Sequence, residues 1–311
     1  MKKQYVLITP AYNEGEFIKD TIESVVSQTV LPVKWIIVDD GSTDTTPKII
    51  KEYEKRYEFV TYHRRTRKDN QTYYESNVYA IQEGYEKVRG LHYDYIATLD
   101  ADIILCATYY EEIFKRFDLN RDLGIATGML LEKLDGRLVE VLYDRRSTPK
   151  ALQVFRRECF DQIGGYIPCK NGGEDSCTEI MARMNGWQTW SFSEIRVIHR
   201  RSVGARCNSD VIHHMRFHQG LTDYCLATHP IFMIVKCLGR CLRENPYITS
   251  GLARFAGYFY GYLIREPRQI PTNASQYVRK EQIRRLLRCI GIGPQLWKPI
   301  QPESQDHLEG N

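Results

Sequence analysis

Four short apolar runs in the first hundred residues, at 5–8, 35–38, 59–63 and 95–99, are separated by stretches with helical spacing. Phe17, Ile18, Ile22, Val25 and Val26 mark one helix face, Ile49, Ile50 and Tyr53 a second, and residues 78–88 a third. Strands alternating with helices of this length predict a doubly wound α/β sheet. Ligands of such sheets bind outside the carboxyl ends of the strands. The residues that follow each run therefore matter most. They are Thr9-Pro-Ala-Tyr-Asn-Glu-Gly15, read as a loop, then Asp39-Asp-Gly-Ser-Thr-Asp44, then Asp100-Ala-Asp102. Parallel strands would bring all three into one layer.

Asp100 and Asp102 stand one small residue apart at the end of a buried run. Carboxylates so close repel unless a cation lies beside them. Hard divalent ions use one or two protein carboxylates together with substrate phosphates. An isolated Asp-x-Asp is as readily a solvated turn, so the coincidence with the other strand ends carries the argument. No G-x-G-x-x-G or Walker loop follows the first run, which disfavours dinucleotide oxidoreductases and P-loop enzymes.

With 311 residues, 42% of them hydrophobic and 26% charged, the chain can build one large domain and an appendage. The net charge of +4 is concentrated in basic clusters at 64–68, 196–206 and 279–288, suited to phosphorylated substrates or acidic lipid surfaces. Nine cysteines without a C-x-x-C pair predict a reduced, intracellular protein. Residues 1–8 read as a strand rather than a signal peptide, and no apolar run reaches the ~20 residues of a membrane span.

The segments Ile8-Thr-Pro-Ala-Tyr-Asn-Glu14, Ser27-Gln-Thr29, Ile37-Val-Asp-Asp-Gly-Ser-Thr-Asp44 and Leu99-Asp-Ala-Asp102 resemble, in order and spacing, the family-2 inverting glycosyltransferases of the GT-A fold. Later motifs extend the likeness to about residue 220. The resemblance implies a Rossmann-like mixed α/β sheet flanked by helices, here with a C-terminal helical extension. It also implies a nucleotide-diphosphate-sugar donor, a UDP- or GDP-sugar being favoured. Pro10, Ala11, Tyr12 and Glu14 would line the nucleotide pocket. Asp40 would meet the base edge, or Asp39 would, unless Asp39 caps the turn at Gly41. Asp100 would hold the ribose or a metal-bound water. Asp102 would ligate Mn²⁺ or Mg²⁺, and His199 would complete the metal shell or touch the diphosphate. Asp44 reads as a helix N-cap.

A second centre is Gly172-Gly-Glu-Asp-Ser-Cys-Thr-Glu-Ile180. In the family an Asp at the start of this helix is the catalytic base, and Asp175 holds that place after Glu174. An acceptor hydroxyl is a poor nucleophile until such a group takes its proton. A single displacement would invert the anomeric centre. The alternative for both carboxylates is favourable charge at a helix N-terminus. Glu174, Arg200, Arg201 and Arg206 are candidate diphosphate or acceptor contacts, the arginines as a basic flap. Glu179 reads as a partner for Arg183 at i+4. Trp187 and Trp190 are either an acceptor platform or core. His213, His214 and His218 fit no standard zinc spacing. The Gln-x-x-Arg-Trp motif of the processive synthases is missing, so one sugar per encounter is expected.

Residues 230–242 and 251–264 read as a helical hairpin, basic and aromatic, that either lies in a bilayer interface or packs on the catalytic domain. The expected organisation is a catalytic domain at 1–225, with a donor half to about 105 and an acceptor half from 106. A helical extension at 226–290 and a disordered polar tail at 291–311 follow. The expected acceptor is a glycan or lipid-linked saccharide, with no nucleic acid partner. The expected place is the cytoplasm, with peripheral contact at the inner membrane face as the variant. A sugar nucleotidyltransferase and a non-catalytic membrane scaffold stay open as other classes, although the first loop has only Gly15 where a nucleotidyltransferase is glycine-rich.

Overall fold

All seven residues of β1 (Tyr5–Ala11) are buried, as befits a strand covered on both faces. The structure is a computed structural model and describes residues 3–134, 137–141, 143–201, 209–289 and 291. β2 (Lys34–Asp39) and β4 (Tyr95–Thr98) flank β1 in parallel, and β3 (Val60–Arg64) pairs with β2. Side chains alternate across this sheet. Leu7, Trp35 and Ile37 pack with Ile18, Ile22 and Ile50 from α1 (Ile18–Val26) and α2 (Thr46–Glu54). Val6, Ile8 and Ile36 face the other way, onto Val78 and Ile81 of α3 (Tyr73–Val88). The doubly wound half is therefore as the periodicity predicts.

Two boundaries differ. β1 continues to Ala11 because Pro10 and Ala11 pair with Val38 and Asp39, so the expected loop starts later. α3 starts at Tyr73 rather than 78, because Thr72 and Glu75 form a capping box within a segment that reads as polar loop.

The second half adds β5 (Ile103–Ile104), α4 (Tyr109–Leu119), β6 (Leu123–Leu134), β7 (Arg137–Glu140), β8 (Val154–Arg156), α5 (Arg157–Ile163), α6 (Glu174–Met184) and β9 (Gln188–His199). β8 runs antiparallel between β4 and β6, while β9 runs parallel to β6 and antiparallel to β5. The order β3-β2-β1-β4-β8-β6-β9-β5, with β7 on β6, makes one mixed sheet. The expected short strand ending at His199 is the last part of the twelve-residue β9.

Among the described residues, α7 (Ser209–Cys225), α8 (Pro230–Arg243), α9 (Thr249–Leu263) and α10 (Thr272–Cys289) follow. α8 and α9 are the expected hairpin. α7, to which the sequence assigns no element, packs along α9 with the backbones in contact. A Cβ at Gly220 would strike the Arg254 carbonyl, and one at Gly257 would strike that of Phe217. Among the described residues no helix is long and apolar enough to cross a membrane. Cys237 and Cys241 sit on α8, and the described cysteines are free thiols. The tail beyond 291 lies outside the described residues.

Candidate active site

The carboxyl ends of β1, β2 and β4 open into a cavity of about 190 Å³. Pro10, Ala11, Tyr12, Glu14, Asp40, Asp100, Asp102, His199 and Arg201 line it, together with Tyr73 and Asn77. The sequence reading named the first nine. Tyr12 is 40% exposed at the rim, with the Arg67 guanidinium over its ring at 5.0 Å.

The Asp39-Asp40 doublet is resolved by the alternation of side chains at a strand end. Asp40 lines the cavity, its carboxylate paired with Arg65 and accepting from Ser76 Oγ at 2.6 Å. Asp39 lies beneath, fully buried, and is not a wall residue. It accepts from the Ser42 N–H at 2.7 Å, the Tyr62 hydroxyl at 2.7 Å and Arg64 at 2.9 Å. Its carboxylate thus serves the turn cap and the Arg64 pair. Asp44 likewise ties loops, accepting from the backbone of Thr46 at 3.0 Å and of Gly15 at 2.9 Å.

At the opposite wall, Asp102 Oδ2 is 3.3 Å from His199 Nε2 and 3.5 Å from Arg201 Nε. Burial alone would raise the Asp102 pKa, but His199 and Arg201 hold it below the usual range. His199 Nδ1 is 3.3 Å from Glu132, a residue the sequence reading missed. Burial would lower the imidazole pKa, yet the two carboxylates carry it up to about 9. Arg201 also donates to Glu14 at 2.6 Å. Glu14 is pushed up to about 7 by burial, with Arg201 opposing and Asp102 adding to the rise.

Asp100 is engaged by a second residue absent from the sequence reading. Lys150 Nζ, in the turn before β8, donates to Asp100 at 2.8 Å and to Asn77 at 2.9 Å. Burial works against its charge, but Asp100 and Glu174 more than offset this and raise its pKa.

Asp175 lines a second, larger cavity of about 1020 Å³. Consecutive residues of α3 line the two spaces, Tyr73 the first and Tyr74 the second. Gly172 and Gly173 turn the chain into α6 at φ of 72° and 88°, the left-handed region that favours glycine. A Cβ at Gly173 would also press on Thr222 and Leu226. Asp175 accepts from the Ser176 N–H at 2.6 Å, and burial raises its pKa while Lys150 opposes the rise. Glu174, its neighbour in the chain, is buried and pushed up to about 7, chiefly by burial, with Lys150 again opposing. Glu179 is bonded to Thr148 Oγ1 at 3.0 Å and lies 3.7 Å from Arg183, the i+4 pairing expected.

Other candidates fall elsewhere. Arg200 turns out of the cavity to pair with Asp20 of α1 at 3.4 Å, because neighbouring side chains on an extended segment point apart. Arg206 lies outside the described residues. Trp190 is buried in the core, and Trp187 donates to Gln162 at 2.6 Å, so neither lines the larger cavity. His213 bonds Thr249, and His218 stacks on Tyr74. Among the described residues no three His, Cys, Asp or Glu side chains are grouped to hold a metal by themselves.

A family profile described as Glycosyl transferase family 2 matches residues 6–170. The chain is similar to a poly-beta-1,6-N-acetyl-D-glucosamine synthase of Staphylococcus epidermidis, 32% identical over 120 residues, or 38% of this chain and 26% of that one. It is also similar to the putative teichuronic acid biosynthesis glycosyltransferase TuaG of Bacillus subtilis, 36% identical over 99 residues, or 31% and 34% of the two chains. The chain thus spans about a quarter to a third of the length of these curated relatives. In structure it is similar to the mannosyltransferase PcManGT of Pyrobaculum calidifontis in complex with GDP-Man and Mn²⁺. That likeness has a TM-score of 0.54 and 15% identity, over 94% of this chain and 77% of that one. Staphylococcus aureus TarS 1-349 in complex with UDP-GlcNAc gives a TM-score of 0.52 and 14% identity, over 93% and 80% of the chains. At these identities the likeness is one of fold.

Proposed function

The chain belongs to glycosyl transferase family 2 and has the GT-A fold, and on that premise we propose that it moves one sugar from a nucleoside-diphosphate sugar to an acceptor hydroxyl with inversion. The observation that carries this reading is that one cation serves both acidic walls. Asp100 and Asp102 line one cavity and Asp175 lines the other, while Lys150 donates to Asp100 at 2.8 Å and opposes the rise in the Asp175 pKa.

Pro10, Ala11, Tyr12, Glu14 and Asp40 make the nucleotide side, with Asp100 at the ribose. Asp175 takes the acceptor proton as the bond to the sugar forms, from the side away from the diphosphate. Its raised pKa suits a base that must accept a proton near neutral pH. Arg201 supplies a guanidinium for the diphosphate, and Glu174 sits behind the base as a buried support rather than a direct contact.

The donor set suits a divalent ion shared with the diphosphate. Asp102 and His199 offer one carboxylate oxygen and one imidazole nitrogen to the same space, and Glu132 on the other ring nitrogen fixes the imidazole orientation. The nitrogen in this set favours Mn²⁺ over Mg²⁺. Bound there, the ion would supply charge neutralisation for the departing diphosphate.

Exposed apolar residues on one side of α8 (Ile231, Ile234, Val235, Leu238 and Leu242) support a peripheral contact with an anionic bilayer and a lipid-linked acceptor. Calorimetry of the chain with UDP and GDP, with and without Mn²⁺, tests the donor assignment. One nucleotide should bind, and more tightly with the ion. No affinity for either in a folded sample contradicts the assignment.

A further inference from the structure

In the larger cavity, among residues that do not line the first, four cationic side chains share two carboxylates. Arg216 of α7, Lys236 and Arg240 of α8 and Arg254 of α9 all line it, with Asp223 and Glu244. Lys236 pairs with Asp223 at 2.7 Å, and Arg254 Nε pairs with the other oxygen of Asp223 at 2.8 Å. Arg240 pairs with Glu244, and Arg216 Nε lies 3.6 Å from that same carboxylate without a hydrogen bond.

The two carboxylates are thus each spent on two cations, and two positive charges are left over within this cluster. The cations are far from freely solvated: side-chain exposure is 10% for Arg254, 24% for Arg216, 25% for Lys236 and 28% for Arg240. Burial first, and then repulsion from Arg254, draws the Lys236 pKa down to about 8 and that of Arg240 to about 10. A cluster serving stability alone gains nothing from cations beyond its carboxylates, because unpaired buried charge costs folding energy.

Resting on the transferase reading, we infer that this end of the cavity is an acceptor subsite for a doubly charged phosphate group, a phosphate monoester or a diphosphate. The charge decides the class. A sugar carboxylate would neutralise one of the two excess charges, whereas these phosphates carry close to two at neutral pH. Three of the four cations are arginines, whose planar fork matches phosphate oxygens two at a time. The phosphate lies in the same space as Asp175, so it anchors the acceptor while the base meets its hydroxyl.

The test is calorimetric titration of the full chain with inorganic phosphate, and with acetate as the singly charged control, in excess UDP or GDP to keep the donor pocket filled. Phosphate should bind and acetate should not. The double variant Lys236→Gln/Arg240→Gln should weaken phosphate binding by roughly tenfold or more, with affinity for the nucleotide unchanged. Glu244→Gln removes a negative charge and should tighten phosphate binding, a change of opposite sign that mere loss of folding cannot produce. Phosphate affinity that is unchanged in both variants overturns the subsite. The nucleotide titration is the separate readout of the donor reading. If neither UDP nor GDP binds while the phosphate effects hold, that reading falls and the anion site stands. Farnesyl phosphate binding far more tightly than methyl phosphate assigns a lipid acceptor, and equal affinities assign a water-soluble one.

Discussion

Lys150 donates to Asp100 at 2.8 Å and thereby ties the turn before β8 to the end of β4. The same ammonium opposes the rise in pKa of both Glu174 and Asp175. One cation thus serves carboxylates that line both cavities. It does so across fifty residues of sequence.

Removing that charge should be visible in the pH dependence of transfer. Lys150 stabilises the ionised form of Asp175, so Lys150→Gln should raise the pKa of the proposed base. The acid limb of the rate profile should move up by about one pH unit, with activity recovering at higher pH. An identical profile in the variant would show that Lys150 only holds the turn.

Glu179 gives a stability prediction with a definite sign. Burial pushes its pKa up to about 8 in the folded chain, against about 4.3 when unfolded. The folded state therefore holds more protons between these values. Its contribution is fully present below about pH 4 and is lost as pH rises through 8. Glu179→Gln keeps an acceptor for Thr148 and removes the titration. Thermal melts from pH 5 to 9 should fall more steeply for the parent chain than for this variant. Parallel curves would contradict the assignment.

The strand-helix order and most of the first cavity wall were legible because each depends on short-range pattern. Asp100 and Asp102 end an apolar run, and Gly172-Gly-Glu-Asp175 announces a helix start. The partners that tune these residues were not legible. Glu132 meets His199 because the two are register partners across β6 and β9. Arg65 reaches Asp40 through the pairing of β2 with β3, and Lys150 reaches Asp100 across an antiparallel junction. Register is a property of the sheet, and no spacing within one segment encodes it. α7 was hidden for another reason. Gly220 argues against a helix by propensity, yet it is what lets the α7 backbone meet that of α9 at Arg254 and Tyr258.

Asp102→Asn addresses the proposed ion. The amide keeps the shape and removes the charge, so Mn²⁺ affinity in the presence of the donor nucleotide should fall by about 10- to 100-fold. Transfer should fall with it, and added Mn²⁺ should restore part of the rate. Electron paramagnetic resonance of bound Mn²⁺ reads the loss directly. Equal Mn²⁺ binding in both proteins would remove Asp102 from the metal site.

The most direct measurement is the single-turnover rate of Asp175→Asn beside its affinity for the donor nucleotide. Nucleotide affinity should stay within about twofold of the parent, because Asp175 does not line the first cavity. Transfer should be slower by about 10²- to 10⁴-fold, the contribution of a positioned general base. Transfer at the parent rate, with the nucleotide still bound, would show that the proton leaves by another route and that the central assignment is wrong.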